Sequence, residues 1–385
     1  MKKLIYISHL RYPSEKTHSA FAMKTCEGFA DSGFDVELWV PLRYNPLFRK
    51  NDPYEFHGVK DNFRIRKIPC LNLLDFFPGN ISFWTMVISF NISLVIYAIF
   101  RNLLKSAIFY CHDLRDLFFL PVLADRIFLE IHDFYKLPAE RVNKFIFSRI
   151  SGFIVTNKYK IGILNKNYGI PMDKMIYQPN AVDIEKFDIE ISREEARKNL
   201  GLPLDKKIVL YTGHLFSWKG VLTLLEAVKL LPKDHLVYFV GGTDKDIANF
   251  KRKMESIGAN NAIIVGRKPH SEIPIWLKAA DVLVLPNTAK DQASKYETSP
   301  VKLFEYMASG RPIIASDLPS IRDIVDESMV LFFEADNYGA LAASITEALQ
   351  MSGESMAEEN MDKIKAYSWE KRAEGISAFL KEIIS

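Results

Sequence analysis

The sequence predicts an α/β protein built from two Rossmann-like domains, each with a doubly wound parallel sheet. Short apolar runs rich in β-branched and aromatic residues alternate with longer helical patterns along the chain. That alternation is typical of parallel sheets with crossover helices. The series of strand-like runs also stops near residue 180 and starts again near residue 207. With 385 residues, the chain has the length of two domains that each bury a core.

Seven strand candidates fill the first half of the chain. The opening MKKLIYISHL has a basic pair, but its apolar run of about five residues is shorter than the ~7 to 15 of a signal-peptide core, so we interpret it as a first strand. The seven runs are LIYIS, DVELWV, FRIRKIP, AIFYCHD, RIFLEIHD, GFIVTN and MIYQPN.

The second half repeats the pattern with six strand candidates. They are KIVLYTG, LVYFVGG, AIIVGR, VLVLP, PIIASD and VLFF. Between the halves, the stretch PNAVDIEKFDIEISREEARKNLGLP is charged and amphipathic, and we place the domain boundary near Ile191. The predicted parts are a first domain of residues 1–190, a second of residues 191–365, and a C-terminal helix of residues 366–385.

Composition excludes several classes of protein. The chain is 48% hydrophobic and 25% charged, which is ordinary for a globular domain. Its formal net charge of +3 is too small to predict nucleic acid as a partner. Cys26, Cys70 and Cys111 lie far apart in the sequence and form no metal-binding spacing. We therefore expect no metal site, no disulfide framework and a reducing, cytoplasmic location.

One uncharged run raises the question of membrane contact. Residues 80–100 carry no charge, and their number is near the ~20 that a helix needs to cross a bilayer. Asn, Ser and Thr side chains interrupt the run, and Arg101 and Lys105 follow it as at a helix C-terminus. We predict a helix packed on a sheet, with an interfacial helix at an anionic membrane as the alternative. The basic excess of the first half favours such a surface.

Two familiar nucleotide-binding motifs are missing from the sequence. No G-x-G-x-x-G follows the first strand of either half, and no G-x-x-x-x-G-K-[ST] occurs anywhere. Dehydrogenase and P-loop functions therefore lose most of their support.

The most informative stretch is YETSPVKLFEYMASGRPIIASD. Ser299 before Pro300 predicts a helix start, with Ser299 as N-cap and Pro300 at the first helical position. The amides near Val301 and Lys302 would then form an anion site suited to a diphosphate. Glu305 follows in the same helix, where its carboxylate can accept hydrogen bonds from a diol such as a ribose. The predicted helix runs to Gly310. The alternative is a capped surface helix with a solvated Glu305.

A second stretch, LYTGHLFSWKG, begins the second half. Its strand ends at Gly213, and a turn leads to the helical pattern VLTLLEAVKLL. Lys219 therefore lies beside a helix start, at the carboxyl edge of the sheet where α/β proteins bind ligands. A lysine there suits a phosphate, and a solvated loop lysine is the alternative.

Together these residues resemble family 4 retaining glycosyltransferases of the GT-B fold. The likeness rests on the Glu297-x7-Glu305 spacing, the TGHLFSWKG turn, the segment PNAVDIEKF and the closing YSWEKRA, and it covers the whole chain. It implies two Rossmann-like domains facing across a cleft, with the acceptor on the first domain and the donor on the second. The implied enzyme is a retaining hexosyltransferase that uses a nucleoside diphosphate sugar and needs no metal or other cofactor. The implied acceptor is a glycan, a lipid-linked sugar or a small molecule, as in cell-surface polysaccharide or glycolipid synthesis.

The resemblance also assigns residues of the second domain to the donor. Glu305 would hold the ribose, and Lys219 with the amides at Val301 and Lys302 would hold the diphosphate. Glu297 would bind hydroxyls of the donor sugar, and the backbone at Arg267 would border the base. The final helix would cross back onto the first domain.

In the first domain, RIFLEIHDFY ends a strand with His132 and Asp133. The resemblance places His132 near the donor sugar and the acceptor, so that it joins Lys219 and Glu297 as a catalytic candidate. His18 and Asp133 are candidates on the acceptor side. The alternative for His132 is a structural histidine at a strand end.

Two departures from the family pattern matter. The turn after the first strand lacks the usual glycines, and His214 stands where an Arg is common. His214 either binds the diphosphate in place of that Arg or bonds a backbone carbonyl in its turn. The sequence Thr243-Asp244-Lys245-Asp246 looks like a metal-binding DxD motif, but we interpret it as a helix cap with first-turn charges.

Two other functions stay open at this point. A GT-B sugar phosphorylase would use inorganic phosphate in place of a nucleotide. A non-catalytic subunit would bind a sugar nucleotide without turning it over.

Overall fold

The computed structural model describes residues 1–74, 76–132, 140–351 and 353–385. The chain divides into two compact units. The first comprises Met1–Pro179 with Trp369–Ser385, and the second comprises Asn180–Ser368.

The first unit contains a seven-stranded parallel sheet with the order β3-β2-β1-β4-β5-β6-β7. All seven predicted strand runs are strands, so that part of the prediction is confirmed. They are β1 (Lys3–Ile7), β2 (Asp35–Pro41), β3 (Arg64–Ile68), β4 (Ile108–Cys111), β5 (Ile127–Ile131), β6 (Gly152–Val155) and β7 (Met175–Tyr177).

Helices flank both faces of this sheet. They are α1 (Thr17–Asp31), α2 (Pro53–His57), α3 (Asn80–Phe100), α4 (Leu120–Leu123), α5 (Glu140–Ser148), α6 (Lys158–Tyr168) and, from the end of the chain, α16 (Trp369–Ile383). The inner side of α3 packs into the core through Phe90, Leu94 and Ala98. The uncharged run is therefore a helix on the sheet, as predicted.

The second unit contains a six-stranded parallel sheet with the order β10-β9-β8-β11-β12-β13. Its strands are β8 (Lys207–Thr212), β9 (His235–Val240), β10 (Ala262–Gly266), β11 (Val282–Leu285), β12 (Ile313–Ser316) and β13 (Leu331–Phe333). Its helices are α7 (Ile184–Phe187), α8 (Arg193–Leu200), α9 (Val221–Ala227), α10 (Asp244–Ile257), α11 (Ile273–Ala279), α12 (Val301–Met307), α13 (Pro319–Arg322), α14 (Tyr338–Gln350) and α15 (Glu354–Ile364). Each unit is thus a doubly wound α/β unit, as the strand runs predicted.

The division between the units differs from the predicted boundary near Ile191. Residues from Asn180 onward belong to the second unit, because the backbone N–H of Asn180 donates to Ser299 Oγ (3.0 Å) and its side-chain amide donates to the Ser299 carbonyl (2.6 Å). Val182 and Phe187 are buried in the core of that unit. The amphipathic pattern of this segment therefore reflects packing on the second sheet.

The last helix begins at Trp369 and belongs to the first unit. It packs closely on α1, since a Cβ on Gly28 would come within 2.4 Å of the Cβ of Ala373. Arg372 also forms a buried ion pair with Glu130 on β5.

Candidate functional site

The turn after β8 is fixed against α12. The backbone N–H of Thr212 donates to Tyr306 Oη at 2.9 Å. The next residue, Gly213, has φ +116°, and a Cβ there would lie 2.3 Å from Cε and 2.4 Å from Nζ of Lys302. Only glycine therefore leaves room for the Lys302 side chain against this turn.

Lys302 places its ammonium group beside the end of β8. Its Nζ donates to Tyr211 Oη (2.7 Å) and lies 4.1 Å from the centre of the Tyr211 ring. Tyr211 Oη in turn donates to the His214 carbonyl at 2.7 Å. Burial lowers the pKa of Lys302 well below its ordinary value, and the charge of Lys219 lowers it further, whereas Glu305 raises it. Two ammonium groups and one carboxylate thus act on one another here.

Lys219 ends a short 3₁₀ turn, Ser217–Lys219. Its Nζ lies 3.7 Å from the centre of a Trp218 ring. The following Gly220 has φ +70°, and a Cβ there would lie 1.7 Å from the carbonyl oxygen of Pro286. The turn that carries Lys219 is therefore packed directly on the end of β11, at the carboxyl edge predicted from the sequence.

Glu305 lies on α12 with only 10% of its side chain exposed. Its Oε1 is 3.0 Å from Nε2 of His270, which sits in the short 3₁₀ turn His270–Glu272. The hydrogen bond to Glu305 raises the pKa of His270 above its ordinary value. No role for His270 was predicted from the sequence, although it lies three residues after Arg267.

The predicted N-cap at Ser299 is wrong. Pro300, in extended conformation, occupies the cap position, and α12 spans only Val301–Met307 and ends before Gly310. The Ser299 hydroxyl instead accepts a hydrogen bond from the backbone of Asn180. The segment before α12 is thus anchored by a residue distant in sequence, and a seven-residue helix gives a weaker dipole than the one expected.

Glu297 and Arg267 lie in segments next to this cluster. Glu297 ends the π-helical turn Ala293–Glu297, and its Oε1 accepts a hydrogen bond from the Gln292 side chain at 3.2 Å. Arg267 is exposed and directly follows β10, in the segment that leads to His270.

His214 makes a contact that neither sequence alternative predicted. Its Nδ1 lies 3.4 Å from Oδ2 of Asp246, and its ring stacks on Phe216 with the planes at 5°. More than half of the side chain, 57%, is exposed. The same Asp246 forms a capping box with Thr243 at the start of α10, which confirms that these residues cap a helix.

Three histidines meet in the first unit. The rings of His18 and His112 stack with centres 5.5 Å apart, and His132 meets both edge-on at 5.9 and 6.2 Å. Asp133 lies outside the described residues. Sequence analysis missed His112, although the runs AIFYCHD and RIFLEIHD both end in His-Asp. Adjacent parallel strands bring these equivalent positions together at one sheet edge.

The histidine cluster lies next to a buried carboxylate. Nε2 of His132 is 2.8 Å from Oε1 of Glu130, which also pairs with Arg372 and accepts a hydrogen bond from Tyr110 Oη at 2.5 Å. Burial alone would raise the pKa of Glu130, but Arg372, His132 and Tyr110 together lower it. Burial, with the neighbouring His132 and His18, lowers the pKa of His112 to about 3. Across the described ranges, no group of three or more His, Cys, Asp or Glu side chains could hold a metal ion.

The second unit thus gathers cations and a carboxylate at the carboxyl edge of its sheet. Residues 192–371 match the family model described as glycosyl transferases group 1. Over these residues the chain is similar to group 1 glycosyl transferases. Within this range lie Lys219, Lys302, Glu305 and His270.

Curated relatives of this chain include a candidate teichuronic acid biosynthesis glycosyltransferase of Bacillus subtilis, 30% identical over 170 residues, or 44% of this chain and 40% of the relative. A D-inositol 3-phosphate glycosyltransferase of Xylanimonas cellulosilytica is 27% identical over 41% of this chain and 38% of its own. An alpha-monoglucosyldiacylglycerol synthase of Streptococcus pneumoniae is 27% identical over 58% of this chain and 50% of its own. The chain spans about 40% of the length of the first of these relatives.

Solved structures match the fold over the whole chain. A sucrose-phosphate synthase of Thermosynechococcus elongatus has a TM-score of 0.77 at 18% identity and covers 100% of this chain and 99% of its own. HepE of Anabaena in complex with UDP-glucose has a TM-score of 0.75 at 15% identity, with 99% and 100% covered. The architecture is therefore that of GT-B proteins, which carry two Rossmann-like domains.

Proposed function

We propose that this protein is a retaining glycosyltransferase, with a nucleoside diphosphate sugar as donor on the second unit. The observation that carries the proposal is the cluster of Lys302, Lys219 and Glu305 at the carboxyl edge of the sheet, within the residues similar to group 1 glycosyl transferases. The charge of Lys219 lowers the pKa of Lys302, and an anion that binds between the two ammonium groups relieves this repulsion. A diphosphate supplies such an anion, and its ribose supplies a diol for the carboxylate.

In this proposal Lys219 and Lys302 hold the diphosphate, together with the amides at Val301 and Lys302. Because α12 is short, the ammonium groups contribute more than the helix dipole. Negative charge grows on the diphosphate as the bond to the sugar breaks. Fixed cations that meet this charge stabilise the transition state, at ~3 kcal/mol for each well-placed group.

Glu305 accepts hydrogen bonds from the ribose hydroxyls, and Glu297 binds hydroxyls of the donor sugar. The backbone at Arg267 borders the base.

We assign the acceptor to the first unit, with His132 and His18 as the groups that orient its hydroxyl. The acceptor attacks on the face that the leaving group vacates, and the departing phosphate takes the acceptor proton. No metal and no covalent enzyme intermediate takes part.

A thermal-shift screen tests the proposed donor site. UDP is the first probe, because HepE of Anabaena is described in complex with UDP and with UDP-glucose. A nucleoside diphosphate at ~100 times its dissociation constant should add about 2.7 kcal/mol of stability. If ADP, GDP, UDP and dTDP all leave the melting temperature unchanged, the donor site is refuted. Retention is tested separately, by NMR of the anomeric configuration of the product.

The affinity for uridine is expected to rise with pH as His270 loses its proton. In the free protein Glu305 raises the pKa of His270, and in the proposed complex the ribose takes the place of His270 at Glu305. Binding then lowers the pKa of His270 and releases a proton, so the complex is favoured as pH rises through the raised value. Uridine has no phosphate that titrates in this range. NMR titrations at several pH values should show the slope, and an equal slope in His270→Gln would contradict this role.

We also propose that the first unit docks on an anionic membrane through α3. This is the only helix of the described residues that is long and apolar enough to cross a membrane, and 39% of its most apolar window is buried. Its outer side carries exposed apolar residues at helical spacing. They are Ile81, Trp84, Ile88, Ile92, Ile96, Ile99 and Phe100. Lys105 follows the stripe and is a cation that suits anionic headgroups, whereas Arg101 pairs with Glu37 at 2.7 Å. The protein would then act at the inner face of the membrane, on a lipid-linked or glycan acceptor.

Replacing two residues of this stripe should weaken membrane binding. Ile92 and Ile96 are 46% and 47% exposed, so Ile92→Asn/Ile96→Asn should not disturb the core. We expect roughly tenfold weaker co-sedimentation with phosphatidylglycerol vesicles at low salt. Leu230→Asn, at an exposed position of the second unit, is the control. Wild-type protein that stays in the supernatant would rule out the docking surface.

A further inference from the structure

A cavity of about 580 Å³ lies in the first unit, and none of the three clustered histidines lines it. Its volume falls in the range of small-molecule sites. Its walls come from the segment after β2, from the edge strand β3 and from Tyr97 on α3. The segment after β2 and the end of β3 lie at the carboxyl ends of two neighbouring strands, where open α/β sheets bind ligands.

The lining of this cavity is cationic. Arg49, Arg66 and Lys67 contribute to it, and none of its described lining residues is an Asp or Glu. Lys67 Nζ lies 4.2 Å and Arg49 Cζ 5.4 Å from the centre of the same Tyr44 ring. Within the described ranges, neither Arg49 nor Lys67 forms an ion pair with a carboxylate. Two like charges are therefore held on one ring without a counter-charge, which favours an anionic ligand.

The neighbouring carboxylate Glu37 does not neutralise Arg66. Its distance from Arg66 Nε is 3.7 Å, while Lys3 and Arg101 approach it to 2.8 and 2.7 Å. Burial would raise the pKa of Glu37, but hydrogen bonds from Arg101 and Lys3 lower it to about 2. Arg66 Nε is buried and has no hydrogen-bond partner. Asp35 also pairs with Lys3 (2.8 Å), so two carboxylates meet three cations, and one positive charge remains in excess beside the cavity.

Four tyrosines also line the cavity, namely Tyr12, Tyr44, Tyr54 and Tyr97. Tyr54 Oη donates to the Phe63 carbonyl (2.8 Å) and Tyr12 Oη donates to Ser8 Oγ (3.2 Å), so these hydroxyls are already engaged. The Tyr44 side chain is nearly half exposed.

We propose that this cavity binds a phosphorylated sugar, with Arg49, Lys67 and Arg66 holding the phosphate. The inference deepens the proposed function and rests on it, because the bound sugar is then part of the acceptor. The phosphate comes from a soluble sugar phosphate or from a phosphoinositol headgroup. A lipid source fits the position of Tyr97, which lines the cavity. Tyr97 lies on α3 between Ile96 and Ile99, two residues of the stripe proposed to dock on a membrane.

Calorimetry with UDP present in excess tests this site. Glucose 6-phosphate is compared with glucose, and phosphatidylcholine vesicles that contain phosphatidylinositol form a second arm. The variant is Arg49→Gln/Lys67→Gln, since neither side chain takes part in a described ion pair. The control is Lys60→Gln, an exposed cation that pairs with Asp31 and lies outside the cavity.

We expect the wild type to bind glucose 6-phosphate or the vesicles, and the double variant to bind them about tenfold or more weakly. Loss in the glucose 6-phosphate arm alone indicates a soluble source, and loss in the vesicle arm alone indicates the headgroup. The proposal is overturned if the wild type binds neither, or if the double variant keeps wild-type affinity. UDP affinity should be equal in all variants. Failure of the wild type to bind any nucleoside diphosphate would refute the donor site instead.

Discussion

Replacing Glu305 with alanine is expected to weaken nucleoside diphosphate binding by roughly ten- to a hundredfold. Hydrogen bonds to a charged group contribute ~1.5 to 3 kcal/mol, and Glu305 is placed to accept them from the ribose. Its carboxylate is nearly buried and faces His270, so the free protein already holds it in one position. Calorimetry with the nucleoside diphosphate found in the screen measures the effect.

Glu297→Gln is the matched control for this variant. Glu297 is assigned to the sugar, so its replacement should weaken binding of the sugar nucleotide and leave the nucleoside diphosphate unaffected. Equal nucleoside diphosphate affinity in Glu305→Ala and wild type would remove Glu305 from the donor site.

Lys302→Met should weaken binding of the nucleoside diphosphate by roughly tenfold or more and raise the melting temperature of the free protein. The ammonium group is costly to the free fold, because burial and Lys219 both disfavour its charged form. Tyr211 Oη keeps its hydrogen bond to the His214 carbonyl when Lys302 is removed. Methionine also fills the space beside Gly213 with a chain of similar length. Affinity and stability should therefore change in opposite directions.

Uridine and Lys295→Met separate this effect from a general loss of charge. Uridine lacks phosphates, so Lys302→Met should bind it as the wild type does. Lys295 lies over Tyr296 in the turn before α12, where its Nζ is 5.0 Å from the ring centre, and it should tolerate the change. An unchanged diphosphate affinity with a lowered melting temperature would make Lys302 a structural residue only.

The strands could be predicted because each is a short apolar run bounded by turn residues. Both sheets are parallel, so their central strands are apolar on both faces and contrast with the charged helical stretches. The carboxyl ends of those strands are where ligands bind, so His132, Gly213 and Lys219 could be found from position alone. Glu305 was proposed from its place in the helix after Pro300 and from the family resemblance.

Contacts between distant segments could not be predicted. The Ser299 cap failed because Asn180, far away in the chain, binds its hydroxyl, and the boundary near Ile191 failed for the same reason. The pair of His270 with Glu305 depends on how the loop after β10 lies on α12. The position of the Lys302 side chain depends on the absence of a Cβ at Gly213. The residues around Lys302 in the sequence give no sign of this contact.

The central claim is that the cluster of Lys219, Lys302 and Glu305 binds the diphosphate and ribose of a sugar donor that the protein consumes. Release of nucleoside diphosphate from a panel of nucleoside diphosphate sugars tests it most directly, with the full chain and with Glu305→Ala. We predict that the wild type consumes at least one donor and that Glu305→Ala consumes it at least about tenfold more slowly. A wild type that binds and consumes none of them, or a Glu305→Ala variant as active as the wild type, would contradict the claim.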